Sequence, residues 1–340
     1  MTQRPTARIY RGTPGNLARL ARALRRGELV AVPTETVYGL AANALDARAC
    51  RRIFVAKGRP ATDPLIVHIH SLAQLSEVAV PNAAALRLAR QFWPGPLTLV
   101  LPKKATVPDT VTAGLPSVAV RMPSHALLRR LLKLCGRPLA APSANHFGSV
   151  SPTTAEHVRD GLSRKIRHIL EGGASSIGIE STIVDLRDPR RPRLLRPGAI
   201  ARADLERALC VRVRSMRPGH LSRDHAQIAP GLLQRHYSPK TPVTLHRKIS
   251  PAAVQRRPLS EAWLFVAQPR QLKGDNIFWL DPHGKLQGAA RNLFRLLREI
   301  DANAFDRIHI ERATGEPKGL AVAINDRLRR AAAAPSGQSR

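Results

Sequence analysis

Short apolar runs separated by stretches of helical periodicity fill the N-terminal part of this 340-residue chain, and few architectures accommodate that alternation. Runs at 29–32, 65–69, 97–101, 117–120, 138–141, 166–170 and 182–186 read as buried strands. Between them, residues 16–26 carry Leu17, Leu20 and Leu24 at helical spacing, with Gly27 as a stop. The stretch 46–56 opens on Asp46, a suitable N-cap, and turns Ile53 and Phe54 inward. Further helical stretches lie at 83–92, 125–134 and 153–162. Strands and helices in alternation bury their apolar faces by stacking in layers, so the expected class is α/β.

The pattern weakens over 215–241, where Arg217-Pro218-Gly219, Pro230-Gly231 and Ser238-Pro239 punctuate the chain. That stretch reads as a linker. It resumes with strand-like runs at 243–245, 263–266 and 277–280, then a helix with Leu286, Ala290, Leu293, Leu297 and Ile300 on one stripe. A strand over 305–310 and a helix over 320–333 complete what resembles a small Rossmann-like domain. No Gly-rich phosphate fingerprint follows its first strand, so no dinucleotide is expected there. The expected organisation is a first domain over 13–210, a linker over 211–242, a second domain over 243–333 and a disordered tail over 334–340.

A hydrophobic content of 43% suffices for two cores. Cys50, Cys135 and Cys210 are far apart, odd in number and without metal-ligand spacing, which suits a reducing compartment. No apolar run follows Arg4, Arg8 and Arg11, and no stretch approaches the ~20 apolar residues of a membrane span. A soluble, cytoplasmic protein without membrane contact is expected. The net charge of +31 invites a nucleic-acid partner. Yet only ten of the 55 basic residues are Lys, and the 45 Arg residues are scattered over helix faces, as at Arg22, Arg25, Arg26, Arg48, Arg51, Arg52, Arg129 and Arg130. With aromatics at 4%, a base-stacking platform is poorly supported, and solvated surface is the plainer reading.

Two short motifs carry the chemistry. Lys57-x-Arg59 ends a helical stretch just before the run 65–69, and Ser143-x-Asn145 closes the apolar run 138–142. Two fixed cations facing two small hydrogen-bonding side chains suit a polyphosphate. Each has a plainer alternative: basic residues complementing a helix C-terminus, or an Asx-type turn serving local backbone. Arg121 ends an apolar strand, and a lone charge there needs a partner, either a ligand or a local Glu. His68 alternates onto one face with Ile66, where it is either a core histidine or exposed to a cavity.

The stretch Val32-Pro33-Thr34-Glu35-Thr36-Val37-Tyr38-Gly39-Leu40 resembles the opening motif of the YrdC-like family. Ala56-Lys57-Gly58-Arg59-Pro60, Phe92-Trp93-Pro94-Gly95-Pro96-Leu97-Thr98 and Ala141-Pro142-Ser143-Ala144-Asn145 match later motifs. Ile179-Glu180-Ser181-Thr182-Ile183, Leu195-Arg196-Pro197-Gly198 and His236-Tyr237-Ser238-Pro239 match its long, two-domain members. Family members are threonylcarbamoyl-AMP synthases. The resemblance implies a twisted mixed sheet around a large basic cavity, the Rossmann-like domain being accessory. It also implies condensation of L-threonine, bicarbonate and ATP into threonylcarbamoyl-AMP plus pyrophosphate. A separate tRNA threonylcarbamoyl transferase would then use the product on the adenosine beside the anticodon.

Carried over residue by residue, Lys57, Arg59, Ser143 and Asn145 are the catalytic set. With Asp63, Ser117, Ser151, Arg196, His236 and Tyr237 they make the ATP site. Thr36, His68, Arg121, Ala141 and Ser181 make the L-threonine site. Mg2+ is expected mainly on the phosphates, with Asp63 the one protein group open as a ligand for it. Asp63 departs from the usual Asn, adding charge beside the phosphates, and Ser117 stands where the family also places Thr. His68 titrates in a range suited to proton handling, while Glu180 has a local capping or pairing role as its alternative. His236 and Tyr237 fall in the linker and suit a lid over the nucleotide, or Tyr237 simply anchors the linker. Against the enzyme stands a non-catalytic RNA-binding protein of the same fold, and any tRNA contact of the enzyme itself is expected to be weak. Carbamoyl transfer to another acceptor is a third reading; the long proteins that do this carry zinc-finger Cys pairs, which this chain lacks.

Overall fold

The computed structural model describes residues 6–216, 225–232, 236–256, 258–303, 305–314 and 319–333. Eleven strands form one mixed sheet in the spatial order Arg8–Tyr10, His168–Leu170, Val30–Val32, Gly39–Asn43, Leu139–Ala140, Ile66–His68, Ser117–Arg121, Leu97–Pro102, Thr182–Asp185, Arg193–Arg196, Arg214–Ser215. It combines parallel pairs, such as Ile66–His68 with Ser117–Arg121, and antiparallel ones, such as Gly39–Asn43 with Val30–Val32. The expected strands and helices are all present within a residue or two at each end. Thr13 caps helix Pro14–Arg25, and Asp46 caps Ala47–Lys57 through the amides of Arg48 and Ala49. Gly58 ends the latter helix at φ 61°, a left-handed turn that sends the chain back toward the sheet.

Eight elements carried no clear sequence signal, among them the short Arg8–Tyr10, Asp109–Thr112, Arg214–Ser215 and Pro251–Gln255. Strand Gly39–Asn43 has only Leu40 as a strong apolar residue, yet it pairs on both sides at the centre of the sheet. Strand Arg193–Arg196 and helices Leu72–Val78 and Arg202–Leu209 are short, and Arg-rich in two cases. Tertiary packing overrides their weak propensity. Leu205, Leu209 and Val213 bury against the first core, and Arg214–Ser215 adds an edge strand beside Arg193–Arg196. The chain therefore stays with the first sheet through residue 215, inside the segment expected as linker. The Arg217-Pro218-Gly219 turn and the tail 334–340 lie outside the described residues.

The second sheet is parallel, ordered Val243–His246, Arg307–Glu311, Glu261–Ala267, Ile277–Asp281. Helices Leu286–Ala302 and Leu320–Ala331 cover one face through Leu293, Phe294, Leu297, Ile300, Ile324 and Leu328. That core does not stop at the domain boundary. Val37, Val150, Ile179 and Tyr237 join it from the other side. Polar contacts add to the apolar ones: Arg298 donates to the carbonyls of Val150 (2.5 Å) and Ser151 (3.3 Å), and Arg291 to that of Ser176 (3.1 Å). No described helix is long and apolar enough to cross a membrane.

Candidate active site

The first domain and the linker enclose one cavity. Ile66 and His68 and, beside them, Arg121 reach it from adjacent strands of the first sheet, and Ala141, Pro142 and Ser143 from the loop after Leu139–Ala140. Thr36, Glu180, Ser181 and Arg196 line it from neighbouring loops and strands, while Pro230, Gly231, His236 and Tyr237 close its mouth. The remaining space is about 50 Å3. A larger, open depression of about 560 Å3 lies on the outer surface between Arg51, Arg52, Val55, Lys165 and Arg167. It contains none of the motif residues, whereas the small cavity gathers polar groups from several segments, and that convergence makes it the candidate site.

On one side lie the cations. Lys57 is fully buried, and its Nζ donates to the carbonyls of Ser143 and Asn145, both at 2.6 Å. Arg59 donates to the carbonyls of Asp63 (2.9 Å) and Pro64 (2.7 Å) and pairs with the Asp63 carboxylate at 3.0 Å. Arg196 spans the Ser181 carbonyl and hydroxyl, both at 3.1 Å, and the Pro230 carbonyl at 3.3 Å. Burial pushes Lys57 well below the usual ammonium range, with neighbouring Arg59 adding to the effect. Burial also lowers Arg59 and Arg196 and raises Asp63, whose charge Arg59 partly protects. Lys57 and Arg59 thus share the carboxylate of Asp63, while Arg196 lies in the field of Glu180 as well as of other cations, and an incoming anion adds charge compensation on this side.

Opposite lies a patch of hydroxyls around Arg121. Its guanidinium pairs with Glu35 at 2.7 Å and donates to Thr36 Oγ1 at 2.8 Å and the Gly95 carbonyl at 3.2 Å. The local Glu is therefore its partner in this state, as the plainer reading expected. Thr36 also bonds Thr34 Oγ1 at 2.8 Å, and Ser181 Oγ bonds Thr98 Oγ1 at 2.7 Å. His68 is buried with Nδ1 3.2 Å from the Ile66 carbonyl, and burial, reinforced by Arg121, pushes it down to about 3. Burial of this kind favours the neutral imidazole and works against proton handling by His68.

His236 and Tyr237 pack ring against ring at 4.1 Å, with Phe147 edge-on to His236 at 5.7 Å. Tyr237 leans on Phe294 of the second domain at 5.4 Å. Its φ of 63° is a left-handed conformation that costs a bulky residue about 1–2 kcal/mol, so its surroundings enforce the placement.

A family model described as "Telomere recombination" matches residues 22–198, and one described as "Threonylcarbamoyl-AMP synthase, C-terminal domain" matches 200–333. The threonylcarbamoyl-AMP synthase of Pyrococcus abyssi is 44% identical over 91% of both chains. The chain belongs to the threonylcarbamoyl-AMP synthase family. The Bacillus subtilis threonylcarbamoyl-AMP synthase is 49% identical over 192 residues, covering 56% of this chain and 55% of that protein. The crystal structure of Pyrococcus abyssi Sua5 complexed with L-threonine superposes with a TM-score of 0.86 at 40% identity, over 96% of this chain and 98% of that one.

Of the residues expected at a synthase site, Thr36, Arg59, His68, Arg121, Ala141, Ser143, Ser181, Arg196, His236 and Tyr237 line the cavity. Lys57, Asp63 and Asn145 stand just behind it: Lys57 holds the Ser143–Asn145 loop, Asp63 holds Arg59, and Asn145 Nδ2 donates to the carbonyls of His146 (2.7 Å) and Ser149 (2.8 Å). Ser151 gives its hydroxyl to Glu180 at 2.7 Å, and Ser117 is buried at the head of its strand, away from the cavity wall. Glu35, Thr98 and Arg327 shape this synthase-family site and were not singled out from the sequence. Glu35 carried a signal, standing one residue before Thr36 in the opening motif; Arg327, 147 residues from its partner Glu180, carried none.

Among the described residues, no cluster of three or more His, Cys, Asp or Glu side chains is arranged to hold a metal ion.

Proposed function

We propose that this cavity joins L-threonine, bicarbonate and ATP into threonylcarbamoyl-AMP, with release of pyrophosphate and water. The observation that carries the reading is the convergence of Arg59, Arg121 and Arg196 on one buried cavity, with Thr36, Ser143 and Ser181 between them. The reaction gathers several anions, and its demands are charge compensation, orientation and exclusion of water. The threonine amine attacks bicarbonate to give a carbamate, and a carbamate oxygen then attacks the α-phosphorus as pyrophosphate leaves. No covalent protein nucleophile is needed, so positioning supplies most of the rate.

In this reading the threonine carboxylate displaces Glu35 from Arg121, with Thr36, Ser181, Ala141 and neutral His68 around the amino acid. Arg59, Arg196, Ser143, His236 and Tyr237 contact ATP directly, while Lys57, Asp63, Ser117, Asn145 and Ser151 support that side. Mg2+ enters on the phosphates and neutralises part of their charge. A free volume of about 50 Å3 is far below the ~300–1,000 Å3 of ligand sites, so ATP entry requires Gly231, His236 and Tyr237 to withdraw. They act as the lid and, through Phe294, as an anchor too. The product passes to a cytoplasmic transferase that modifies adenosine beside the anticodon of tRNA, with only weak contact between tRNA and the basic surface here.

The test is direct. Purified protein given ATP, threonine and bicarbonate yields an adenylate of the expected mass, with pyrophosphate release dependent on all three. RNA binding without pyrophosphate release would instead favour the non-catalytic reading.

A further inference from the structure

We infer that Arg327, on the last helix of the second domain, is a positioning residue for synthesis in the first: its guanidinium sets the geometry of Glu180–Ser181, Arg196–Pro197 and Tyr237. The inference rests on the proposed synthase activity. Arg327 is 1% exposed and does not line the cavity, so its influence runs through the residues it holds.

Its Nε donates to Glu180 Oε2 at 2.9 Å, Nη2 to the Glu180 carbonyl at 3.2 Å, and Nη1 to the Pro197 carbonyl at 2.8 Å. Asp326 balances its charge at 3.0 Å. The guanidinium carbon lies 5.5 Å from the centre of the Tyr237 ring, within cation–π range. Glu180 directly precedes Ser181, and Pro197 directly follows Arg196. Arg327 therefore grips both neighbours of the Ser181–Arg196 contact that lines the cavity. The second oxygen of Glu180 accepts from Ser151 Oγ at 2.7 Å, which fixes the carboxylate from the other side.

A second feature shows that the same loop is moulded to the second domain. A Cβ at Gly178 would stand 2.5 Å from the Ala290 carbonyl and from Arg291 Cα, so helix Leu286–Ala302 approaches this loop backbone to backbone. Gly178 also sits at φ 81°, which other residues adopt at a cost. A cation serving only as interface glue needs any carbonyl within reach. Arg327 instead spends its planar fork on the segments that carry Ser181, Arg196 and Tyr237, a geometry that an ammonium cannot reproduce.

The experiment compares Arg327→Lys, Ser181→Ala and their double variant, with Arg291→Met as a control at the same interface. All are read by adenylate formation, thermal unfolding and circular dichroism. Arg327→Lys should keep the wild-type spectrum yet lower kcat/KM for threonine about 30-fold or more, and the double variant should lose little beyond the worse single, because residues acting through one another are not additive. Arg291→Met should lower the melting temperature while holding kcat/KM within about threefold. A multiplicative double variant, an Arg291→Met loss as large as that of Arg327→Lys, or a near-wild-type Arg327→Lys overturns the inference. Should Arg327→Lys fail to fold, the isosteric Glu180→Gln reads the same contact and must lower kcat/KM about tenfold or more. Wild-type protein that makes no adenylate sinks the parent reading, whereas active wild-type protein with unaffected variants sinks only this one.

Discussion

The Nζ of Lys57 stands 2.6 Å from the main-chain oxygen of Asn145, so the first basic motif physically holds the second polar one. Its partner carbonyl on Ser143 is equally close. Replacing Lys57 by Met should therefore remove activity and also lower stability by about 1–3 kcal/mol, since two carbonyls lose their donor. Lys57→Arg should restore neither, because a planar fork does not fit between two carbonyls that face a point charge. Adenylate formation and chemical denaturation measure the two effects separately.

Asp63 pairs with the Arg59 guanidinium at 3.0 Å, and under the proposed function it competes there with phosphate. Asp63→Asn removes that charge while Arg59 keeps its bonds to the carbonyls of residues 63 and 64. The KM for ATP should fall about three- to tenfold, with at most a modest loss of melting temperature. A rise in KM would show that the carboxylate serves the nucleotide.

Under the proposed function Tyr237 has two jobs, which different substitutions separate. Tyr237→Phe keeps the packing on Phe294 and removes the hydroxyl at the cavity mouth. It should raise the ATP requirement while leaving the melting temperature near wild type. Tyr237→Ala also loses the ring contacts and should cost about 3–5 kcal/mol, as buried aromatic truncations do. Matching ATP dependence for Tyr237→Phe and wild type would leave the ring as an anchor alone.

Acid should unfold this protein in a predictable window. Burial holds His68 at about 3 and His236 well below the ordinary 6.5. Between those limits the unfolded chain binds protons that the folded one does not, so stability falls as pH drops from 6.5 toward 3. Each such histidine contributes about 1.4 kcal/mol per pH unit in that range. Unfolding free energies for His68→Gln, taken between pH 7 and 4, should show a slope smaller by about that amount.

Much of the fold was legible because local signals agree with the final layers. Asp46 caps its helix, Gly27 and Gly58 end theirs, and the runs at 65–69 and 117–120 lie side by side in one sheet. Strand Gly39–Asn43 was not legible, because its small residues become strand only by pairing between Val30–Val32 and Leu139–Ala140. At the site, residue identities were readable but orientations were not. Arg121 reads as a lone charge until Glu35 is seen beside it, and His68 reads as a titrating group until its burial is known.

By itself the amino-acid sequence determined the α/β class, the two-domain plan and the polar motifs, because periodicity, capping and turn residues act over a few positions. Only the tertiary structure decided that Lys57 supports rather than lines the cavity, that His68 is buried, and that Arg327 reaches across the domain boundary to Glu180. Those outcomes depend on burial and on contacts between residues up to 147 positions apart, and no local signal encodes the desolvation or the distance.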